Sequence, residues 1–272
     1  MAVTMRALSE ADTGTFREVR FVLTDMDDTL THNGQLAAQT YDALERLRDA
    51  GLKVIVVTAA PAGWCDQMAR MWPVDGVIGE NGGFYFSRNR AMPDVTRLFW
   101  HDEKERPTIR NLLAEIGRQV EQKVVFAQYA DDHPFRLTSI AFARPSNRIA
   151  AKEVLIALRD AGAQATMNNL WILGWLGGYD KLAMSQRVLS DHFRLDIQKR
   201  PGAVLYVGDS VNDAPMFGCF QHSVGVSTVR QYLPEMAHWP KWIASGPGGS
   251  GFVEAAEAVL QSQAAIRKRG AL

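Results

Sequence analysis

The chain has 272 residues, enough for one large domain or two ordinary ones, and 47% of them are hydrophobic, so a substantial core can be buried. Thirty Lys and Arg against thirty Asp and Glu leave no net formal charge, which offers no basic footprint for nucleic acid and means that any anionic ligand must be caught locally. No apolar run has the length of a signal peptide or a membrane helix, and Cys65 and Cys219 sit in no CxxC or zinc spacing. The expectation is a cytoplasmic protein with no membrane or nucleic-acid partner, its oligomeric state open.

Residues 19–24 form a short apolar run that ends in Asp25-Met26-Asp27-Asp28-Thr29, a buried strand delivering carboxylates to its carboxyl end. A helix is expected from about residue 40, where Ala43, Leu44, Leu47 and Ala50 recur at helical spacing before Gly51. Residues 53–57 are a second strand, ending at Thr58, so strand, helix and strand imply a right-handed parallel crossover. Val77-Ile78, the turn Glu80-Asn81-Gly82-Gly83 and the aromatic Phe84-Tyr85-Phe86 follow, with a domain boundary placed near Ser87.

Beyond it the pattern predicts a strand at 95–100, a helix at 107–121, strands at 123–129 and 135–143, a helix at 146–161, and strands at 163–167 and 170–175. These make an α+β insert. After Gly177-Gly178 the α/β rhythm resumes with a helix at 181–193, a strand at 203–207 running into Gly208-Asp209-Ser210-Val211-Asn212-Asp213, a strand at 224–226 and a closing helix at 252–261. The glycine-rich 246–251 lacks the lysine and spacing of a phosphate-binding loop and reads as a flexible connector. The fold class expected is α/β: a doubly wound, Rossmann-like parallel sheet built from residues 1–86 and 180–272, interrupted by an α+β cap at 87–179.

In such a sheet the carboxyl ends of the strands converge on one crevice. Asp25, Asp27, Thr58, Lys181, Asp209 and Asp213 all belong to strand ends or to a helix start beside them. A phosphate ester attacked by a carboxylate spreads negative charge over its oxygens, which cations and donors must neutralise. Magnesium, an oxygen-loving cation, suits Asp25 and Asp209. Asp27 is placed to protonate a leaving group and then activate water. Thr58 and Lys181 are expected to bind phosphate, joined by Asn212, which with Asp213 also supports Lys181 or a metal-bound water. Thr58 alone is equally a strand terminator and Lys181 alone a surface lysine; the order of the whole set carries the reading.

That set resembles the haloacid dehalogenase superfamily, in the Cof-like, sucrose-phosphatase-like branch. Asp25-Met26-Asp27-Asp28-Thr29 is similar to the first motif DxDxT, Thr58 to the second, Lys181 to the third and Gly208 through Asp213 to the fourth, GDxxND. The resemblance implies Asp25 as nucleophile, Asp27 as acid and base, Thr58 and Lys181 as phosphate ligands, and magnesium held by Asp25, Asp209 and the backbone carbonyl of Asp27. It also implies a cap that sets specificity, a sugar or polyol phosphate as substrate, and Asn81, at Asn81-Gly82-Gly83, near it. Within the cap, Arg136 is a candidate for a second anion and Trp171 for stacking on a sugar ring. The branch reads Thr-Gly-Arg at its second motif, where this chain has Thr58-Ala59-Ala60, so a cation near the substrate is lost. Three functions follow: a magnesium-dependent phosphomonoesterase, a phosphosugar mutase, or a sugar-phosphate-binding protein with weakened catalysis. A signalling receiver, which also pairs Asp, Thr, Lys and magnesium, is smaller and has no insert.

Overall fold

The computed structural model describes residues 5–88 and 94–269. The first part of the chain supplies strands β1 (Arg6–Ala7), β2 (Phe21–Thr24), β3 (Thr31–His32), β4 (Gln35–Leu36), β5 (Lys53–Val57), β6 (Gly76–Gly79), β7 (Phe84–Arg88) and β8 (Val95–Phe99), with helices α1 (Ala38–Asp49) and α2 (Ala62–Met71). The middle supplies α3 (Arg106–Lys123), β9 (Ser139–Ala143), α4 (Arg148–Asp160), β10 (Gln164–Met167) and β11 (Trp171–Trp175). The last part adds α5 (Lys181–Arg187), β12 (Val204–Gly208), α6 (Ala214–Cys219), β13 (His222–Gly225), β14 (Trp242–Ile243) and α7 (Gly248–Arg269).

Nine strands form one sheet in the order β1-β14-β13-β12-β2-β5-β6-β7-β8. All neighbours are parallel from β1 to β6, while β7 and β8 run antiparallel at the edge. Alternation along the strands gives the sheet two buried faces: Val22, Val54, Val56 and Val207 pack with α1, α2 and α7, whereas Leu23, Ile55, Val57 and Tyr206 pack with α5 and α6. Because the chain leaves β2 toward β5 on one side and returns to β12 on the other, the strand order reverses at β2. That reversal opens a crevice at the carboxyl ends of β2, β5 and β12.

A second sheet, β10-β11-β9, is antiparallel and carries α3 and α4 on one face through Ile116, Val120, Val154 and Leu158. Its other face presents Ala141, Trp171, Leu173 and Trp175, and Ala59 of the large sheet's crevice joins that cluster. Among the described residues no helix is long and apolar enough to cross a membrane.

Four local expectations change. The strand at 95–99 pairs with β7 and lengthens the large sheet instead of belonging to the small one. Residues 123–129 form no strand beyond a single bridge from Tyr129 to Phe142: α3 runs on to Lys123, Val125 is exposed, and only residues 128–130 meet the open edge of β9, through the Ala130 amide on the Ala141 carbonyl and the Ala143 amide on the Gln128 carbonyl. The strand expected at 135–143 begins only at Ser139, because the amides of Leu137 and Thr138 are given to the Glu80 carboxylate. The glycine-rich connector is the first turn of α7: a Cβ on Gly249 would lie 2.2 Å from Thr40 Oγ1, so glycine lets α7 approach α1 closely. The short α2 and α6 and the hairpin β3–β4, closed by Asn33-Gly34, carry too few periodic residues to be read from pattern.

Candidate active site

Three loops leave the carboxyl ends of β2, β5 and β12. Asp25 follows β2 directly, its amide held by the Val207 carbonyl at 2.9 Å, so the β2–β12 ladder sets its position. Beyond it the chain folds tightly, with the amides of Leu30 and Thr31 both donating to the Met26 carbonyl and Asp28 at φ 57. Thr58 is fully buried after β5; its amide donates to the Ile78 carbonyl, and its hydroxyl accepts from the Ala60 amide at 3.0 Å. The Asp209-to-Asp213 turn after β12 is closed by Ser210 and Asp213 in reciprocal capping.

Lys181 opens α5, whose N-cap Asp180 accepts from the Ala183 amide at 2.7 Å. The approach is tight. A Cβ on Gly82, which sits at φ +113, would meet the Asp180 carbonyl oxygen at 2.3 Å, so glycine there lets the Asn81 turn and the start of α5 touch. Lys181 Nζ then donates to Asp25 Oδ1 at 2.7 Å and to Asp213 Oδ1 at 2.8 Å, all three side chains being buried. Asp213 Oδ1 also accepts from Tyr206, and its Oδ2 from the amides of Asp209 and Ser210. Every acceptor of Asp213 is therefore engaged, and it holds Lys181 in place.

Burial pushes the Asp25 carboxyl up to about 6, Lys181 restraining the rise and Asp213 adding to it. Burial and the neighbouring Asp25 push Asp27 up to about 7. Burial, with Asp25 and Asp213 nearby, raises Asp209 well above the usual carboxylate range. Burial alone would lower Lys181, but Asp213 and Asp25 together hold its ammonium above the ordinary lysine value.

Carboxylate oxygens of Asp25, Asp209 and Asp213 lie within 4.8 Å of one another. Asp213 has no acceptor to spare, and Thr29 Oγ1 donates to Asp209 Oδ1 at 3.1 Å. Asp209 Oδ2 and the Asp27 carbonyl accept no hydrogen bond from the described residues, and Lys181 engages only Oδ1 of Asp25. Crowded carboxylates with unused oxygens, each pushed toward its neutral form, suit a hard divalent cation. The sequence-expected ligand set fits this arrangement.

Asp25, Asp27, Asp209 and Asn212 line one small cavity of about 20 Å³ together with Asp28, Ala59 and the Asn168–Asn169 turn of the insert. Thr58 and Lys181 do not line it, though Lys181 reaches Asp25 on its wall. Asn81 is buried at φ 58, with its amide on the Thr58 carbonyl and its side-chain oxygen unpartnered. Arg136 and Trp171 lie in the seam between the two sheets. The Arg136 guanidinium donates to the Ala59 carbonyl at 3.0 Å and to Asp132 Oδ2 at 3.1 Å, and stands 5.0 Å from the centre of the Trp171 ring. Trp171 is 5% exposed and meets Trp64 edge to face.

Two features of the seam have no signal in the sequence. Glu80, buried and at φ 48, accepts from the amides of Ala62, Leu137 and Thr138 and from the hydroxyls of Thr138 and Ser139, so one carboxylate ties the insert to the core. Asn169, across the cavity, donates to Asp28 Oδ2 at 3.0 Å and accepts from Tyr232 at 2.9 Å. Both join residues far apart in the chain, so no local spacing marks them.

A sequence profile described as haloacid dehalogenase-like hydrolase matches residues 22–97. A phosphoglycolate phosphatase of Methanoculleus marisnigri is 26% identical over 240 residues, covering 87% of this chain and 95% of that protein. Among solved structures, a Thermoplasma acidophilum protein superposes with TM-score 0.68 at 16% identity, covering 89% of this chain and 99% of that one. The sucrose-phosphatase of Synechocystis, solved with sucrose and phosphate, gives TM-score 0.64 at 14% identity, covering 89% and 98%. The last two similarities establish likeness of fold, with the insert included in the matched length.

Proposed function

We propose that this chain is a magnesium-dependent phosphatase of the haloacid dehalogenase-like hydrolases, which its sequence resembles, and that it hydrolyses a small phosphomonoester through a phosphorylated Asp25. The observation that carries this reading is the buried trio of Asp25, Lys181 and Asp213: Lys181 steers the Asp25 carboxylate while Asp213 fixes Lys181.

Asp25 attacks phosphorus, the bond to the ester oxygen breaks, and its electron pair leaves on that oxygen. Asp27, pushed up to about 7, supplies the proton that the leaving oxygen takes up. Asp27 as carboxylate then takes a proton from water, whose oxygen displaces Asp25 from phosphorus and releases phosphate. Lys181, the Thr58 hydroxyl and the Ala59 amide neutralise phosphoryl charge, the Ala60 amide being given to Thr58, and Asn212 borders the cavity. Asp25, Asp209 and the Asp27 carbonyl would hold a magnesium ion, which would supply further positive charge at the phosphoryl group.

In this reading residues 87–179 act as the cap, with the strand at 95–99 packed on the core. Arg136 and Trp171 serve the seam between cap and core, where the family's second-motif arginine is absent, instead of touching substrate. The small size of the catalytic cavity favours a small ester, and the relative named as a phosphoglycolate phosphatase supports that reading. A sugar or polyol phosphate is the alternative substrate class, and a mutase the alternative fate of the phosphoryl group.

Phosphate release from a panel of glycolate, glycerate, polyol and sugar phosphates, with and without magnesium, tests the reading. Magnesium-dependent release in the native chain and none in Asp25→Asn, with the fold intact by circular dichroism, is the expected result. Undiminished release by Asp25→Asn would remove Asp25 as nucleophile, and formation of an isomeric phosphate without free phosphate would favour the mutase.

A further inference from the structure

The closed catalytic cavity, at about 20 Å³, has room for about one water, so it must widen to take even a phosphoryl group and leaves no space for the rest of a substrate. It is also strongly acidic, with Asp25, Asp27, Asp28 and Asp209 on its walls. The rest of any substrate must lie outside it, and the neighbouring space is a second cleft of about 440 Å³ that shares Asn168, Asn169, Ser210 and Asn212 with the catalytic cavity.

The second cleft has the opposite character. Arg144, Arg148 and Lys152 line it, against a single acid, Glu235, in a chain whose positive and negative residues balance at thirty each. Arg144 comes from just beyond β9 and its guanidinium is set by the Asn168 carbonyl at 2.6 Å, on the wall between the two spaces. Arg148 and Lys152 stand one turn apart on the first half of α4. Glu235 approaches Arg148 only at 3.9 Å with both side chains largely exposed, and Lys152 makes no ion pair among the described residues. Tyr232, which fixes Asn169, adds a hydroxyl to the same cleft.

We propose that this basic cleft is a second anion site, which receives a carboxylate or a further phosphate carried by the leaving group of the substrate. The inference rests on the phosphatase reading above and narrows its substrate to phosphomonoesters whose alcohol is itself an anion. The reasoning is electrostatic. A neutral alcohol would leave three cations solvated beside it, whereas an anionic one gains their combined field while its phosphoryl group lies in the inner cavity. Carboxylate and phosphate share this chemistry, and the test separates them.

Wild-type chain and the double variant Arg148→Gln/Lys152→Gln are compared on glycerol phosphate, phosphoglycerate, glycerol bisphosphate and p-nitrophenyl phosphate. The wild type is expected to prefer one of the two anionic esters over glycerol phosphate by about tenfold in kcat/KM, mainly through KM, with the preference shrinking as salt rises. The better of the two identifies the anion. The double variant should lose that preference to within about twofold while its turnover of p-nitrophenyl phosphate is unchanged. The same esters are titrated calorimetrically into Asp25→Asn with and without the double substitution. Equal binding and turnover of neutral and anionic esters in the wild type, or a preference that survives the double substitution, would overturn the second site. If no ester is turned over, the phosphatase reading fails, and the calorimetric preference and its loss still decide the anion site.

Discussion

The guanidinium of Arg136, carried by the insert, donates to the carbonyl of Ala59 in the core at 3.0 Å. The sequence places alanine at residues 59 and 60, where similar chains carry glycine and arginine, and from that a cation is expected to be missing. In the folded chain a cation does reach this loop, from the other side of the seam. The Ala59 methyl packs in the cluster that includes Trp171, and Ala60 packs in the core below. Arg136 and Asp132 have side chains 0% and 6% exposed, so removing one member leaves a buried charge without its partner. Arg136→Met is expected to lower unfolding stability in urea by roughly 3–5 kcal/mol, and addition of Asp132→Leu to recover most of it. A single variant as stable as wild type would show that the pair does not hold the seam.

Lys181 neutralises two carboxylates at once. In Lys181→Met those carboxylates repel each other in a buried site, at a cost of roughly 3–5 kcal/mol near pH 7. Protonation relieves the repulsion, so the deficit relative to wild type should shrink at pH 5. Urea titrations at the two pH values check this; a deficit independent of pH would mean that packing, not charge, is what Lys181 contributes.

Asp25 and Asp27 rise from an ordinary 3.8 to about 6 and about 7 when the chain folds. Between the ordinary and the raised values the folded chain keeps protons that the unfolded chain has released, so stability is present at low pH and is lost as pH rises through the folded values. Metal-free protein should therefore melt at a lower temperature at pH 7.5 than at pH 5. A divalent cation competes with those protons, so magnesium should raise the melting temperature more at pH 7.5 than at pH 5. Thermal scans in chelator and in magnesium measure both; an equal magnesium effect at the two pH values would place the ion away from these carboxylates.

Asp27 acts on the leaving oxygen in the proposed chemistry, so its loss should matter most for poor leaving groups. Asp27→Asn is expected to slow hydrolysis of an alkyl phosphate by about 10²–10⁴, and that of p-nitrophenyl phosphate far less. In the native chain, loss of the Asp27 proton should also make alkyl phosphate turnover decline above about pH 7. Equal slowing of both esters would point instead to a role for Asp27 in holding phosphate or metal.

Strands β2, β5 and β12 are legible in the residues alone, because each is a largely apolar run that leads into chemistry-bearing residues, and both signals are local. The α/β class followed from the same runs, since strands buried on both faces need helices above and below. The sequence determined Asp25, Asp27, Thr58, Lys181 and Asp209 as a candidate set for the same reason: position at a strand end or helix start is written in neighbouring residues. Only the tertiary structure decided that Asp213 has every acceptor engaged and positions Lys181, that the strand at 95–99 belongs to the large sheet, and that Glu80 and Arg136 close the seam. It also brought Arg144, Arg148 and Lys152 to a cleft that shares a wall with the catalytic cavity. Lys181 with Asp213, Glu80 with Ser139 and Arg136 with Ala59 are pairs separated by tens of residues, and sequence spacing carries no record of a contact that exists only once the chain has folded.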